Sequence, residues 1–256
     1  MNSQNRPIGV LDSGMGGLTV LRPAARALPR EHFIYYGDSR NAPYGILPEG
    51  DILRHTLAAA EALLDEDIKL LLLACNTATS VAVGALRKRL PIPVVAMEPA
   101  LKPASLLVGS GQILVLATPA TLALPRFRES MARYGARAVA LPLRGLVERI
   151  EAGETTGPAV EGMLVDALLP ALQAPTDAIV LGCTHYPFVR PIIAALAPGI
   201  HILDGTAGTL RQMARLLREG GLLRSEGDGG VSFRSSEPSA VERMAQLYEI
   251  YSPPEA

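Results

Sequence analysis

Asp177-Ala-Ile-Val-Leu-Gly-Cys183-Thr-His-Tyr186 is an apolar run that stops at a cysteine and passes at once into hydroxyl and imidazole side chains. Lys69-Leu-Leu-Leu-Leu-Ala-Cys75-Asn-Thr-Ala78 does the same with hydroxyl and amide groups. Each run is too short and too unpatterned for a surface helix and predicts a buried strand. Each cysteine therefore falls where a strand gives way to a loop, which in open parallel sheets is where ligands bind. These are the only cysteines in the 256 residues. Two thiols from two such places can face one ligand from opposite sides, as inversion of a carbon centre by proton transfer requires.

Outward from these runs, strand-like segments alternate with helical patterns, the signature of βαβ units and a parallel sheet. Strands are predicted near Ile8–Leu11, Phe33–Gly37, Leu70–Ala74 and Val94–Met97. Four more fall near Ile113–Leu116, Ala136–Leu141, Ala178–Leu181 and His201–Leu203. Corresponding strands are offset by about 105 residues, one modest domain length, so the chain reads as two copies of one plan with little residue identity. Helices are predicted over Asp51–Leu64, Val81–Leu90 up to the stop at Pro91, Ala159–Leu172 and Gly208–Glu219, closed by Gly220-Gly221. A polar stretch, Ser225–Gly230, predicts a mobile loop before a short strand near Val231–Phe233 and a last helix over Ser239–Tyr248. Two α/β lobes with facing strand ends leave a cleft for a small molecule.

An apolar fraction of 48% and a charged fraction of 19% describe an ordinary soluble globular chain. A net charge of −1 without a basic stripe argues against nucleic acid as the main ligand and against an anionic membrane surface. No segment is apolar for long enough to span a bilayer, and Met1–Pro7 lacks a signal-peptide core. The expected location is the cytoplasm, where thiols stay reduced and cysteines serve chemistry more than structure.

Asp12-Ser13-Gly14-Met15-Gly16-Gly17 follows the first strand and opens a helix near Leu18. Its free N–H groups suit an anion such as a carboxylate. Thr19 stands where a dinucleotide fingerprint needs glycine, and no Gly-Lys-Ser/Thr follows. The plainer reading is a capped turn. Gly37-Asp-Ser-Arg-Asn-Ala-Pro43-Tyr44-Gly45 is a polar loop that either touches a ligand through Tyr44 and the Gly45 backbone or merely packs its tyrosine. Free cysteine is commonly a small buried hydrophobe, but strand-end placement, pairing across the repeat and the polar residues that follow favour chemistry for Cys75 and Cys183. A helix N-terminus just beyond each would lower its thiol pKa. His185, one of four histidines, can hydrogen-bond Cys183 or a developing charge. With no Cys-x-x-Cys, no His-x-x-x-His and no dense Asp/His cluster, no metal site is expected.

Taken together, Ile8-Gly-Val-Leu-Asp-Ser-Gly-Met-Gly-Gly-Leu-Thr19, Gly37–Gly45, Ala74-Cys-Asn-Thr-Ala78 and Leu181-Gly-Cys-Thr-His-Tyr-Pro187 resemble the glutamate racemases, cofactor-independent enzymes that supply D-glutamate for peptidoglycan. Glu98-Pro99 and Thr118-Pro-Ala-Thr121 also fit, and the likeness runs from about Pro7 to the final helix. It implies two α/β lobes, 1–98 with 206–256 and 99–205, with the active site between them. It implies Cys75 and Cys183 as the two acid/base residues, with Asp12 beside one and His185 beside the other. Glu148 would be the acidic residue near the second cysteine. Ser13, Pro43, Tyr44, Gly45, Asn76, Thr77, Thr118, Thr121 and Thr184, with Asp12 and His185, would bind glutamate. A homodimer is also implied.

Pro23 departs from the pattern and should kink or delay the helix after the glycine loop. Ala100, Ala123 and Phe127 replace the family's frequent glycine, serine and tyrosine and bear on the shape of the second lobe's edge. Three other readings stand beside glutamate racemisation. An aspartate racemase shares the two-cysteine plan and differs by one methylene of substrate. A non-catalytic regulatory protein of the gyrase-inhibitor type needs neither cysteine. A Cys75–Cys183 redox couple lacks the Cys-x-x-Cys arrangement.

Overall fold

The computed structural model describes residues 3–107 and 109–254; positions 1, 2, 108, 255 and 256, which the expected lobe ranges and the N-terminal segment include, lie outside the described residues. Nine strands form at the predicted runs: β1 Ile8–Asp12, β2 His32–Gly37, β3 Leu70–Leu73, β4 Val94–Ala96, β5 Gln112–Ala117, β6 Ala138–Pro142, β7 Thr176–Leu181, β8 His201–Asp204 and β9 Gly230–Ser235. They build two wholly parallel sheets, ordered β4-β3-β1-β2-β9 and β6-β5-β7-β8. Turned about, the second is β8-β7-β5-β6, the same order as β4-β3-β1-β2. The repeat of plan is thus a repeat of topology, and β9 returns the chain to the first sheet.

The uniform apolar runs have a direct cause. Leu70 and Leu72 enter one packed layer of the first sheet, and Leu71 and Leu73 enter the layer on its other face. Leu114 and Leu116 of β5 likewise oppose Ile113 and Val115. With both faces covered, no polar alternation survives in the sequence.

The covering helices are α1 Leu18–Ala27, α2 Glu49–Leu64, α3 Asn76–Arg89, α4 Leu101–Ser105, α5 Pro119–Ala123 and α6 Pro125–Tyr134, followed by α7 Leu146–Glu151, α8 Pro158–Ala171, α9 Arg190–Leu196, α10 Thr206–Glu219 and α11 Ala240–Ile250. Helix α3 begins five residues before the expected Val81. The Cys75 sulfur caps it by accepting from the Ala78 N–H at 3.4 Å, so the polar run Asn76–Ser80 is helix rather than loop. Helix α1 starts at Leu18 and runs through Pro23, against the expected delay; burial of Leu18, Val20, Leu21 and Ala24 offsets a proline penalty of about 3 kcal/mol. Phe127 packs into the second lobe's core, Ala100 precedes α4, and Ala123 is exposed. Met213, Leu217, Met244 and Leu247 of α10 and α11 join the core of the first sheet.

Lys69, just before β3, has a fully buried ammonium that donates to Glu31 Oε2 at 2.5 Å and to the Gln4 carbonyl at 2.7 Å. The other Glu31 oxygen accepts from the Arg224 N–H at 2.9 Å. One ion pair thereby ties the N-terminal segment, β2 and the approach to β9 at the end of the sheet remote from the strand carboxyl ends. Burial pushes the Lys69 pKa down, and the Glu31 carboxylate partly restores it. Lys69→Met leaves Glu31 buried and unpaired. A loss of about 3–5 kcal/mol is expected in urea unfolding, with little effect on turnover under conditions where the variant stays folded.

Candidate active site

Six segments at strand carboxyl ends meet: those after β1, β2 and β3 from the first sheet, and those after β5, β6 and β7 from the second. Their residues line a narrow cavity walled by Ser13, Pro43, Tyr44, Gly45, Cys75, Asn76, Thr77, Thr118, Val147, Cys183, Thr184 and His185. Eleven of these residues were singled out from the sequence; Val147 was not. Asp12 and Thr121 stand directly behind the wall, bonded to residues in it.

Both cysteines are free and buried, 5% and 9% exposed. Cys75 Sγ lies 3.5 Å from Ser13 Oγ, to which its thiol donates. Burial and the neighbouring Asp12 charge push the Cys75 thiol up to about 12, against the lowering effect of the Ala78 N–H and Ser13. The expected depression by the helix N-terminus is real as a contribution and loses to desolvation. Cys183 is followed by a 3₁₀ turn, Tyr186–Val189, rather than by an α-helix N-terminus. Its sulfur is 3.6 Å from His185 Nδ1.

The acidic partner on this side is Glu151, not Glu148. Glu151 Oε1 is 2.5 Å from His185 Nε2 and also accepts from the Met15 N–H at 2.7 Å. Glu148 is exposed on an outer rim. The sequence held a usable signal. Leu146, Val147 and Ile150 are the inward residues of α7, and Glu151, four after Val147, borders that stripe while Glu148 lies on the far side. Burial alone would lower the His185 pKa. Its bonds to Cys183 and Glu151, with the Glu151 charge, overcome this and raise it well above 6.5. For Glu151, burial raises the pKa, but the bonds and charge of His185 and the Met15 N–H bring it below 4.5.

The glycine loop was expected to receive an anion, and the anion it receives belongs to the protein. Met15 N–H takes the Glu151 carboxylate, and Gly14 N–H donates to Asp12 Oδ1 at 2.9 Å. A Cβ on Gly14 would sit 2.1 Å from Glu151 Oε1, and one on Gly16 would sit 2.5 Å from His185 Nδ1 and Thr184 Oγ1. Close approach of the other lobe therefore demands glycine at both positions. Tyr35 holds the loop by donating to the Gly14 carbonyl at 2.7 Å; as an apolar strand residue it gave no sequence signal.

Asp12 is fully buried and accepts from the Thr184 hydroxyl at 3.0 Å. Burial raises its pKa, with the His185 charge pulling the other way. Tyr44 donates to Asp38 Oδ2 at 2.6 Å, so its hydroxyl is engaged within its own loop. Thr77 and Thr121 hydroxyls are 2.9 Å apart, and Thr118 donates to Thr121 at 2.9 Å. Asn76 differs from all of these. Its amide is buried, lines the cavity, and has neither its oxygen nor its nitrogen bonded within the protein. Leaving such a group unmatched costs about 1–3 kcal/mol, a cost a polar ligand would relieve.

The chain matches the family model described as Asp/Glu/Hydantoin racemase over residues 8–213. A glutamate racemase of Clostridium kluyveri is 46% identical over 221 residues, spanning 85% of this chain and 86% of that protein. The solved glutamate racemase of Thermus thermophilus, in complex with β-chloro-D-alanine, superposes with a TM-score of 0.81 at 35% identity, covering 98% and 95% of the two chains. That of Francisella tularensis, in complex with D-glutamate, gives 0.83 at 28% identity, covering 98% and 96%.

Gly16→Ala is expected to abolish catalysis, while circular dichroism reports an unchanged fold. The Glu151–His185 pair also has a pH signature. Glu151, lowered in the folded state, contributes stability present above about pH 4.5 and lost as pH falls through its folded value. His185, raised, contributes stability present below about pH 6.5 and lost as pH rises through its folded value. The unfolding penalty of Glu151→Gln should therefore be greatest between those limits and shrink at alkaline pH, whereas Glu148→Gln should show no such profile.

Proposed function

The chain belongs to the Asp/Glu/hydantoin racemase family, and from that premise we propose that it interconverts L- and D-glutamate by a two-base proton transfer between Cys75 and Cys183. The observation that carries this reading is the presence of both thiols, one from each sheet, in the wall of one cavity.

The α-hydrogen of an amino acid is a very weak acid. Its removal needs a close, oriented base and stabilisation of the carbanion. One sulfur takes the proton while the thiol on the opposite face gives one, so the carbon is inverted and the roles of the sulfurs are exchanged. The push on the Cys75 thiol to about 12 keeps that group protonated in the resting site. His185, near the Cys183 sulfur, can balance negative charge there or supply a proton. We assign Cys75 as the acid and Cys183 as the base in the direction that starts from L-glutamate. Cys183 then deprotonates L-glutamate, and Cys75 deprotonates D-glutamate after turnover.

Ser13 and Thr77 carry neutral hydroxyls that can hold carboxylates without quenching a thiolate, Thr118 and Thr184 shape the wall beside them, and the unpaired Asn76 amide supplies both a donor and an acceptor. The lobes are residues 1–98 with 206–256, and 99–205. The product would serve peptidoglycan synthesis in the cytoplasm, from a homodimer. Among the described residues no helix is long and apolar enough to cross a membrane.

Proton NMR in heavy water, with purified protein and no added cofactor, tests the reaction. Loss of the L-glutamate α-hydrogen signal with D-glutamate appearing is expected; no loss from folded, reduced protein overturns it. Cys75→Ala and Cys183→Ala should each reduce racemisation at least 10²–10⁴-fold, on the order of a lost general acid–base. Exchange should persist from L-glutamate in the former and from D-glutamate in the latter; the opposite pattern reverses the division of labour.

A further inference from the structure

We propose that Arg144 is a specificity-determining residue at the mouth of the site, recruiting the negatively charged substrate before it enters. Arg144 lies in the wall of an outer cavity that shares Pro43, Gly45, Thr118 and Val147 with the cysteine cavity. The two spaces therefore adjoin, and Arg144 stands in the wall of the outer one.

Its backbone is held while its head group is not. Leu143 on one side is buried, its N–H bonded to the Ala117 carbonyl at 3.1 Å and its carbonyl accepting from the Tyr186 hydroxyl at 3.3 Å. Gly145 on the other side turns left-handed, at φ 78°, to open α7. Between these anchors the Arg144 side chain is exposed, and among the described residues its guanidinium forms neither a hydrogen bond nor an ion pair. Arg149, Arg190 and Arg243, by contrast, are all engaged with protein oxygens.

The chemistry matches the ligand class. An amino acid with a side-chain carboxylate carries two negative groups and one ammonium. Arg144 offers one cation at the mouth, and exposed Glu148 in the same outer cavity offers one anion. Inside, apart from His185, the wall is neutral. The unpaired guanidinium can meet an incoming carboxylate directly while Glu148 faces the ammonium, and this charge match raises the rate of encounter.

The inference rests on the racemase reading, so the assay is racemisation of glutamate by the intact protein at ionic strengths of about 0.01 M and 0.15 M, where screening lengths are about 30 and 8 Å. Arg144→Gln should lower kcat/KM about tenfold at low salt, through KM, with kcat unchanged. It should also flatten the salt dependence. Arg144→Lys should restore most of both. Lys88→Gln, an equal change of net charge at the exposed far end of α3, should do neither. Equal behaviour of Arg144→Gln and Lys88→Gln, or a loss in kcat alone, overturns the proposal. An inactive wild-type protein would instead overturn the reading beneath it.

Discussion

Everything at the site depends on one carboxylate. Glu151 reaches from the second lobe, accepts the Met15 N–H of the first, and holds the outer nitrogen of His185. It thereby fixes the seam between lobes and the protonation of the imidazole together. The surrounding bonds reinforce the seam: Thr19 donates to the Thr184 carbonyl at 2.8 Å, Thr184 donates to Asp12, and Arg243 of α11 donates to the Glu151 carbonyl at 3.1 Å. Charges this deeply buried are tolerable only when paired and hydrogen-bonded, so positioning and stability are met by the same atoms.

The two thiols sit in unequal electrostatic settings. Cys75 shares its side with the buried, acidic Asp12, and Cys183 faces an imidazole whose pKa is raised. Apart from β9, the sheets that carry them are equal in strand order. Topology supplies the symmetry of approach, and the loop residues supply the different neighbours of each thiol.

The layers of the fold were legible because parallel strands covered on both faces leave a uniform apolar mark, as at Leu70–Leu73. The start of α3 was hidden because Asn76–Ser80 carries no apolar stripe; the capping sulfur and burial against the second lobe make it helical. The short helices of the second lobe, such as α5, give too few turns for periodicity to register. Most cavity residues were found through their motifs. Glu151 and Glu148 look alike in sequence because nearness to the Cys183–His185 pair is a tertiary fact, and only the helical phase of α7 distinguishes the two. The Cys75 thiol departs from the expected lowering because a helix terminus is visible in sequence, whereas the desolvation that outweighs it is not.

The inequality of the two sulfurs meets a constraint from outside the protein. Enantiomers in water have identical free energies, so a racemase works on an equilibrium constant of one. The ratio of kcat to KM must then be the same in both directions, however differently Asp12 and His185 treat their cysteines. The raised Cys75 thiol can only redistribute the cycle: it changes which protonation form accumulates and which enantiomer saturates first. The asymmetry of the pocket is therefore a setting of occupancy, with no power to favour one hand of the product.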